Sequence, residues 1–195
     1  MKTHVRIMLA IVLVLALPCI AAAQGRGRDL LLFQIGAGLY FPSYPDGLES
    51  AMSLDASTPG ADRIQVAVDL ALGFSISERA YIMARMDGGG DRITYSSGDY
   101  SQLNLYLFSL GARYYPYVTG LYLEGDVGSS QAIVDISGEG SYPSDKGFGY
   151  GIAVGYDFNR RLRGFGLELE AKYDSLTIES EQYGAFMLTL NLCWK

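Results

Sequence analysis

Histidine and cysteine are almost absent from this sequence, which has 1 His and 2 Cys in 195 residues. His4 and Cys19 both lie in an N-terminal segment that we expect to be removed, which leaves Cys193 as the only member of either type. Without histidine, the ordinary Ser-His nucleophile and histidine-liganded metal centres cannot form, and a single cysteine cannot form an internal disulfide. The sequence therefore predicts a protein that is not an enzyme, has no metal site and needs no cofactor.

Long apolar runs are also missing beyond the N-terminus. Residues 1–23 begin with the basic Lys2 and Arg6, continue through an apolar run and end in Ala21–Ala23. This order is typical of a secretory signal peptide cleaved after Ala23. No later stretch contains eighteen consecutive apolar residues, so no transmembrane helix is expected in the rest of the chain. We therefore predict export, with a signal peptide at residues 1–23 and one domain at residues 24–195.

Basic residues are scarce as well, with 15 Lys and Arg against 21 Asp and Glu and a net charge of −6. Affinity for nucleic acid depends on Lys and Arg contacts with phosphates. We therefore expect no nucleic-acid partner.

The most frequent pattern in the chain is strict alternation of apolar and polar or small residues. In "RIQVAVDLALGFSIS" (63–77) every second side chain, from Ile64 to Ile76, is apolar. Side chains of a β-strand point alternately to opposite faces, so this segment is one long strand with one apolar face. The same pattern predicts eight strands, at 31–41, 63–77, 79–88, 101–116, 120–133, 147–158, 164–177 and 182–194.

The connections between these strands differ in length. Segments 42–62, 89–100 and 134–146 are long and rich in Gly, Ser, Asp and Pro, whereas the connections at 77–79, 116–120, 159–163 and 177–181 are short. No helical periodicity is found in any of them. A meander with long loops at one end and short turns at the other is typical of an outer-membrane barrel. The predicted fold is all-β, an eight-stranded antiparallel up-and-down transmembrane β-barrel in the bacterial outer membrane.

A soluble sandwich or a lipocalin-like barrel is the alternative, because its strands would also alternate. Its polar face would carry many charged residues, but the polar face of 147–158 is mostly glycine. Aromatic residues also fall into two bands, which favours lipid contact. The bands are Tyr40, Phe41, Tyr95, Tyr100, Phe148, Tyr173 and Tyr183 toward the long loops, and Tyr81, Tyr114, Phe158, Phe165 and Trp194 toward the short turns.

Two stretches, "LFSLGARYYPY" (107–117) and "AFMLTLNLCW" (185–194), resemble the small OmpA/OmpX-type outer-membrane barrels. The resemblance implies outer-membrane lipid and the barrel-assembly machinery as partners, and host or envelope ligands that bind through the loops. It also implies that the last strand carries the assembly signal. The alternating residues of that signal are Phe186, Leu188, Leu190, Leu192 and Trp194.

Charged residues fall on the predicted inner face of several strands. An eight-stranded barrel is narrow enough to be filled by side chains, so we expect these charges to form an ion-pair network in the lumen. The pairs Glu124/Asp126 and Glu168/Glu170 have a spacing compatible with acid-base chemistry, but a filled lumen admits no substrate. The predicted network comprises Arg63, Asp69, Arg85, Arg113, Glu124, Asp126, Asp157, Glu168, Glu170 and Lys172.

Two classes of function follow from this interpretation. The first is a structural or surface-interaction role that is carried out by the long extracellular loops. The alternative is a narrow gated channel, or a carrier of a small apolar ligand across the outer membrane. An enzyme that acts on outer-membrane lipid is disfavoured by the missing histidine.

Overall fold

The computed structural model describes residues 31–117, 119–160 and 164–195. The predicted signal peptide, residues 1–23, lies outside the described residues. Nine strands and one helix follow in chain order: β1 Leu31–Ser43, α1 Asp46–Ala56, β2 Asp62–Ser77, β3 Ala80–Thr94, β4 Tyr100–Tyr114, β5 Leu121–Ile136, β6 Gly140–Pro143, β7 Gly147–Asp157, β8 Phe165–Ile178 and β9 Glu181–Trp194.

Eight of the strands close into an antiparallel barrel, in the ring order β1-β2-β3-β4-β5-β7-β8-β9. The ring closes where β1 pairs with β9, with Phe33 opposite Trp194 and Ser43 opposite Gly184. The short strand β6 lies outside the ring and pairs with the end of β5, with Tyr142 opposite Val134. The predicted eight-stranded antiparallel barrel is confirmed, and β6 is an addition to it.

The two ends of the barrel differ. β1 begins and β9 ends at what we call the short-turn end, together with the β2–β3 turn. The opposite, long-loop end carries α1, the β3–β4 turn and β6, and the tight turn between β8 and β9. Glu179 and Ser180 in that turn both have positive φ, at 51° and 72°, as a two-residue hairpin turn with the twist of the sheet requires.

Alternation along each strand separates the two faces of the barrel. In β2, Asp69 and Ala71 are buried inside, whereas Leu70 between them is exposed on the outside. The same pattern gives an outer surface of exposed Ile, Leu, Val and Phe side chains around the ring. A continuous exposed apolar band of this kind matches lipid and not water. Within the described residues, no helix has the length and hydropathy needed to span a bilayer.

Large inward side chains fit because glycines face them. A Cβ atom on Gly89 would lie 2.3 Å from the Tyr40 ring, and one on Gly155 would lie 2.2 Å from the Tyr122 ring. No other residue type could therefore face these rings without moving them. The alternation of small and large residues allows a narrow lumen to be filled.

Three sequence predictions need correction. β3 extends to Thr94 and not to 88, because the backbone ladder continues through the glycines, with Gly89 opposite Leu105. The predicted loop 42–62 contains α1, although no helical periodicity is visible there, because a helix of 11 residues with Met52 as its only buried residue shows little pattern. The predicted loop 134–146 contains β6.

Four of the aromatic residues assigned to the interfacial bands also lie elsewhere. Tyr95 and Tyr183 pack against buried apolar side chains at the long-loop end. Tyr40 and Tyr81 point into the barrel and are 1% and 2% exposed. Their positions in the inward phase of β1 and β3 explain this. Phe41, Phe148, Tyr173, Tyr114, Phe158, Phe165 and Trp194 are exposed on the outside.

Candidate functional site

The middle of the lumen is built around Arg113, which is fully buried. Its Nε donates to Glu124 Oε2 at 2.6 Å, its Nη1 donates to Glu168 Oε2 at 2.8 Å and its Nη2 donates to Gln34 Oε1 at 2.9 Å. The guanidinium also lies over the Tyr122 ring, 3.9 Å from its centroid. One arginine therefore connects β4, β5, β8 and β1 across the barrel.

A second arginine, Arg85, shares a partner with the first. Its Nη1 donates to Glu124 Oε1 at 2.7 Å, its Nε donates to Asp69 Oδ1 at 2.7 Å and its Nη2 donates to Glu170. Glu124 thus accepts from both guanidinium groups, one on each oxygen. Charge-assisted hydrogen bonds of this kind are the strong ones in proteins, and here all the partners are buried.

Lys172 forms the third centre, one layer nearer the long-loop end. Its Nζ lies 2.8 Å from Asp87 Oδ2, 3.0 Å from Asp126 Oδ2 and 3.2 Å from Asp174 Oδ1. We call the groups around Arg113, Arg85 and Lys172 the charged layer. Because its side chains meet across the barrel axis and are buried, the layer fills the lumen.

The predicted lumen residues are therefore brought together in the charged layer, except for Arg63 and Asp157. Asp157 lies at the short-turn end, where it contacts Lys195. Arg63 lies near the long-loop end, where its Nε and Nη2 donate to the two oxygens of Asp91 at 2.8 and 2.6 Å. Sequence reasoning missed several partners, although all of them except Lys195, which follows β9, lie in the inward phase of their strands. These partners are Gln34, Asp87, Asp91, Asp174 and Lys195.

The short-turn end of the lumen is closed by aromatic rings and one lysine. Tyr115 packs against Tyr81 and Tyr122, with ring centroids 6.1 and 5.5 Å away, and the guanidinium of Arg160 lies 4.0 Å from the centroid of Tyr115. Lys195 Nζ contacts Asp157 and lies 3.4 Å from Glu168. These groups add a second closure below the charged layer.

One group near this end could offer metal ligands. Asp157, Glu168 and Cys193 have potential ligand atoms within 4.8 Å of one another, and all three are buried. The ammonium group of Lys195 already contacts both carboxylates. In the part of the chain that the structure describes, this group is better explained as an ion pair with a buried thiol beside it.

The mouth of the barrel at the long-loop end is apolar. Inward side chains of β3, β4, β5 and β8 form one buried cluster with two residues of the α1 region, and we call this set the mouth cluster. It comprises Tyr44, Met52, Ile93, Leu103, Leu105, Leu107, Ala132, Leu176 and Ile178.

Two hydrogen bonds hold α1 over the mouth cluster. Tyr44, just before the helix, donates to Asp91 Oδ2 at 2.8 Å, and Tyr95 donates to Asp55 Oδ2 at 3.1 Å. Burial raises the pKa of both tyrosine hydroxyls above the usual range, so both remain hydrogen-bond donors at neutral pH. Tyr44, Met52 and Tyr95 therefore anchor α1 at three points.

A cavity of about 430 Å³ remains beside α1. We call it the mouth cavity. Its apolar wall includes Met52, Leu103 and Ile178, and Asp55 and Glu179 lie among its polar residues. The cavity opens at the long-loop end, and the charged layer lies between it and the opposite end of the lumen.

The predicted assembly-signal residues form one face of β9. Phe186, Leu188, Leu190, Leu192 and Trp194 are all exposed on the outside of the barrel. β9 lies between β8 and β1, so it is the strand that closes the ring.

Solved structures with the same fold are outer-membrane proteins. Ail, the attachment invasion locus protein of Yersinia pestis, in complex with the heparin analogue sucrose octasulfate, is 13% identical with a TM-score of 0.55, over 86% of this chain and 100% of Ail. Neisserial surface protein A is 14% identical with a TM-score of 0.55, over 85% of this chain and 96% of that protein. At these identities the likeness shows the fold alone.

No curated protein matches the sequence. The family model of the outer membrane protein beta-barrel domain matches residues 10–180, which is most of the chain. Together with the closed barrel and its apolar outer surface, this match places the protein in the bacterial outer membrane. The chain belongs to the outer membrane protein beta-barrel domain family.

Proposed function

We propose that this protein is a non-conducting barrel that acts by binding at the cell surface, through its long-loop end. The observation that carries the proposal is the charged layer, in which Arg113, Arg85 and Lys172 reach across the lumen. The ion pairs that cross it are Arg113–Glu168, Arg85–Glu170 and Lys172–Asp87. A solute would have to separate several buried ion pairs to pass. Removing one partner of a buried pair typically costs about 3–5 kcal/mol, so spontaneous opening is rare.

The orientation of the barrel supports the choice of the long-loop end. Outer-membrane barrels have short periplasmic turns and longer extracellular loops. The end that carries α1, β6 and the mouth cavity is then the end that faces the environment.

The charge of this end supports a cationic partner. Ten acidic residues are exposed or half-buried at the long-loop end, against the basic Arg63, Arg92 and Lys146. Ail was solved with a sulfated, anionic ligand, and an acidic surface would repel such a ligand at short range. The acidic residues are Asp46, Glu49, Asp55, Asp62, Asp99, Asp135, Glu139, Asp145, Glu179 and Glu181.

Export and insertion form the second part of the proposal. Residues 1–23 act as the signal peptide, and the exposed face of β9, from Phe186 to Trp194, is recognised by the barrel-assembly machinery before β9 pairs with β1. The exposed apolar outer surface supports lipid as the permanent partner of the folded barrel. No step of this role calls for an enzymatic activity.

Planar bilayers test the proposal against the alternative of a narrow gated channel. The purified barrel is expected to show no unit conductance steps. Arg113→Ala combined with Tyr115→Ala, which opens both the charged layer and the aromatic closure below it, is the matched variant that should conduct. Stable unit steps from the unmodified protein would overturn the proposed function and establish the channel.

A further inference from the structure

We propose that the mouth cavity binds a small organic cation, a molecule with an aromatic or branched apolar body and one ammonium group. The inference rests on the proposed function, because it names the class of ligand that the long-loop end takes.

The size and the walls suit an apolar body. Ligand sites of proteins commonly enclose about 300–1,000 Å³, and the mouth cavity has about 430 Å³. A benzene molecule fits an aliphatic cavity of about 150 Å³, so there is room for a ring and a short chain. Met52 from α1, Leu103 from β4 and Ile178 from β8 provide the apolar wall.

The charge of the cavity selects a cation. Asp55 and Glu179 are the charged residues that line it, and no Lys or Arg is among the lining residues that the structure describes. The rings of Tyr142 and Tyr183 line it too, and tyrosine rings attract ammonium groups through their faces. An anionic ligand would meet two carboxylates without a counter-charge.

Both carboxylates are held in place by bonds that leave one oxygen unused. Tyr95 donates to Oδ2 of Asp55, and the backbone N–H of Asp145 donates to Oε1 of Glu179 at 3.0 Å. Oδ1 of Asp55 and Oε2 of Glu179 take no part in these bonds. Pre-organised acceptors lose little conformational freedom when a ligand binds, which favours affinity.

The test is a titration of the barrel in nanodiscs of zwitterionic lipid with three probes of similar shape. The probes are 2-phenylethylamine, 2-phenylethanol and 3-phenylpropanoate, and the readout is the ¹³C-methyl signal of Met52. We expect the amine to bind roughly fivefold more tightly than the alcohol, as weak partly exposed ion pairs allow, and the carboxylate not to bind. Equal affinity of amine and alcohol would overturn the choice of a cation.

Variants locate the site. Ala51 lines the cavity from α1, so Ala51→Trp should fill it and abolish the amine-dependent shift of Met52. Leu54 on the outer face of the same helix is 71% exposed, so Leu54→Trp is the matched control and should leave binding unchanged. Asp55→Asn together with Glu179→Gln should bring the amine to the affinity of the alcohol.

The outcomes separate this inference from the proposed function. Unchanged amine binding by Ala51→Trp would show that the probe binds elsewhere and would overturn the site. Absence of binding by all three probes, with no conductance in bilayers, would overturn the cavity ligand and leave the non-conducting surface role standing.

Discussion

The middle and the mouth of the lumen are filled by opposite kinds of chemistry. In the middle, Arg113 and Arg85 are each fixed by charge-assisted bonds to several buried partners. At the mouth, Leu103, Leu105 and Ile178 pack without directional bonds and leave a cavity beside α1. A buried polar network loses stability when one partner is missing, whereas an apolar cluster can accommodate a bound ligand at little cost in free energy. The difference supports the proposal of closure in the middle and binding at the mouth.

The largest effect is expected from breaking the charged layer. Arg113→Ala leaves Glu124 and Glu168 without their shared guanidinium, and the loss of one partner of a buried ion pair costs about 3–5 kcal/mol. Urea unfolding in lipid vesicles measures the loss of folding free energy.

Arg63→Ala at the mouth is the matched control. Asp91 would keep its hydrogen bonds from Tyr44 and Gln65, so the expected cost is lower, about 1.5–3 kcal/mol for lost bonds to a charged group. An equal loss of unfolding free energy in the two variants would mean that water reaches Arg113. The middle of the lumen would then not differ from the mouth in its burial of charge.

A second test compares the outside of the barrel with the inside at the level of the charged layer. Leu70 is exposed on the outside, and its neighbour Ala71 is buried inside. Arg on the lipid face near the bilayer midplane costs about 2–4 kcal/mol. Leu70→Arg should therefore lower the yield of inserted barrel more than Leu70→Asn. The yields of Ala71→Asn and Ala71→Arg show how much space the lumen leaves for a larger side chain at this position.

Spin labels distinguish lipid from protein as the neighbour of this face. A nitroxide at Val68, Leu70 or Leu72 should be relaxed by oxygen, which dissolves in lipid, and protected from a water-soluble relaxation agent. Protection of all three labels from both agents would indicate burial against protein, which contradicts a lipid-facing surface.

The strands and the charged layer could be predicted from the sequence because both follow from the alternation of side chains along a strand. A period of two assigns each residue of a long strand to a face, and the inward phase then collects Arg85, Arg113 and Glu124. Which carboxylate meets which arginine depends on the stagger of the barrel, which alternation does not contain. Asp91 was missed because the glycines before it were assigned to a loop.

The structure of the mouth was harder to predict from the sequence because it depends on contacts between distant segments. α1 has one buried residue, Met52, and its position depends on Tyr44 and Tyr95 from the ends of two different strands. Short helices owe their stability to tertiary packing more than to intrinsic preference. A sequence pattern within 42–62 therefore carries little of the information that places the helix.

α1 is attached to the mouth cluster through the side chain of Met52. Met52→Ala removes its one buried side chain, and a loss of about 2 kcal/mol, at the low end for core truncations, is expected. Because α1 lies outside the barrel wall, the loss should appear as faster hydrogen exchange of α1 amides with an unchanged urea midpoint. Leu54→Ala on the exposed side is the control, and a shift of the global midpoint by Met52→Ala would show that mouth and middle unfold together.

The smallest effect is expected at the hydrogen bond between Tyr95 and Asp55, which is worth about 0.5–1.5 kcal/mol. Partial burial, with a contribution from Asp55, raises the pKa of Tyr95 in the folded protein. The bond therefore contributes fully below the unfolded tyrosine pKa of about 10 and is lost as the pH rises through the higher folded value.

A nitroxide on Leu54→Cys can report this loss as increased mobility of α1, since Leu54 is exposed and Cys193 is buried. In the otherwise unchanged protein, mobility should rise with pH only above about 10. In Tyr95→Phe it should be higher already at neutral pH and show no such step. If the rise in mobility above about pH 10 persisted in Tyr95→Phe, a group other than Tyr95 would cause it. Tyr44 and Met52 would then be the main anchors of the helix beside the mouth cavity.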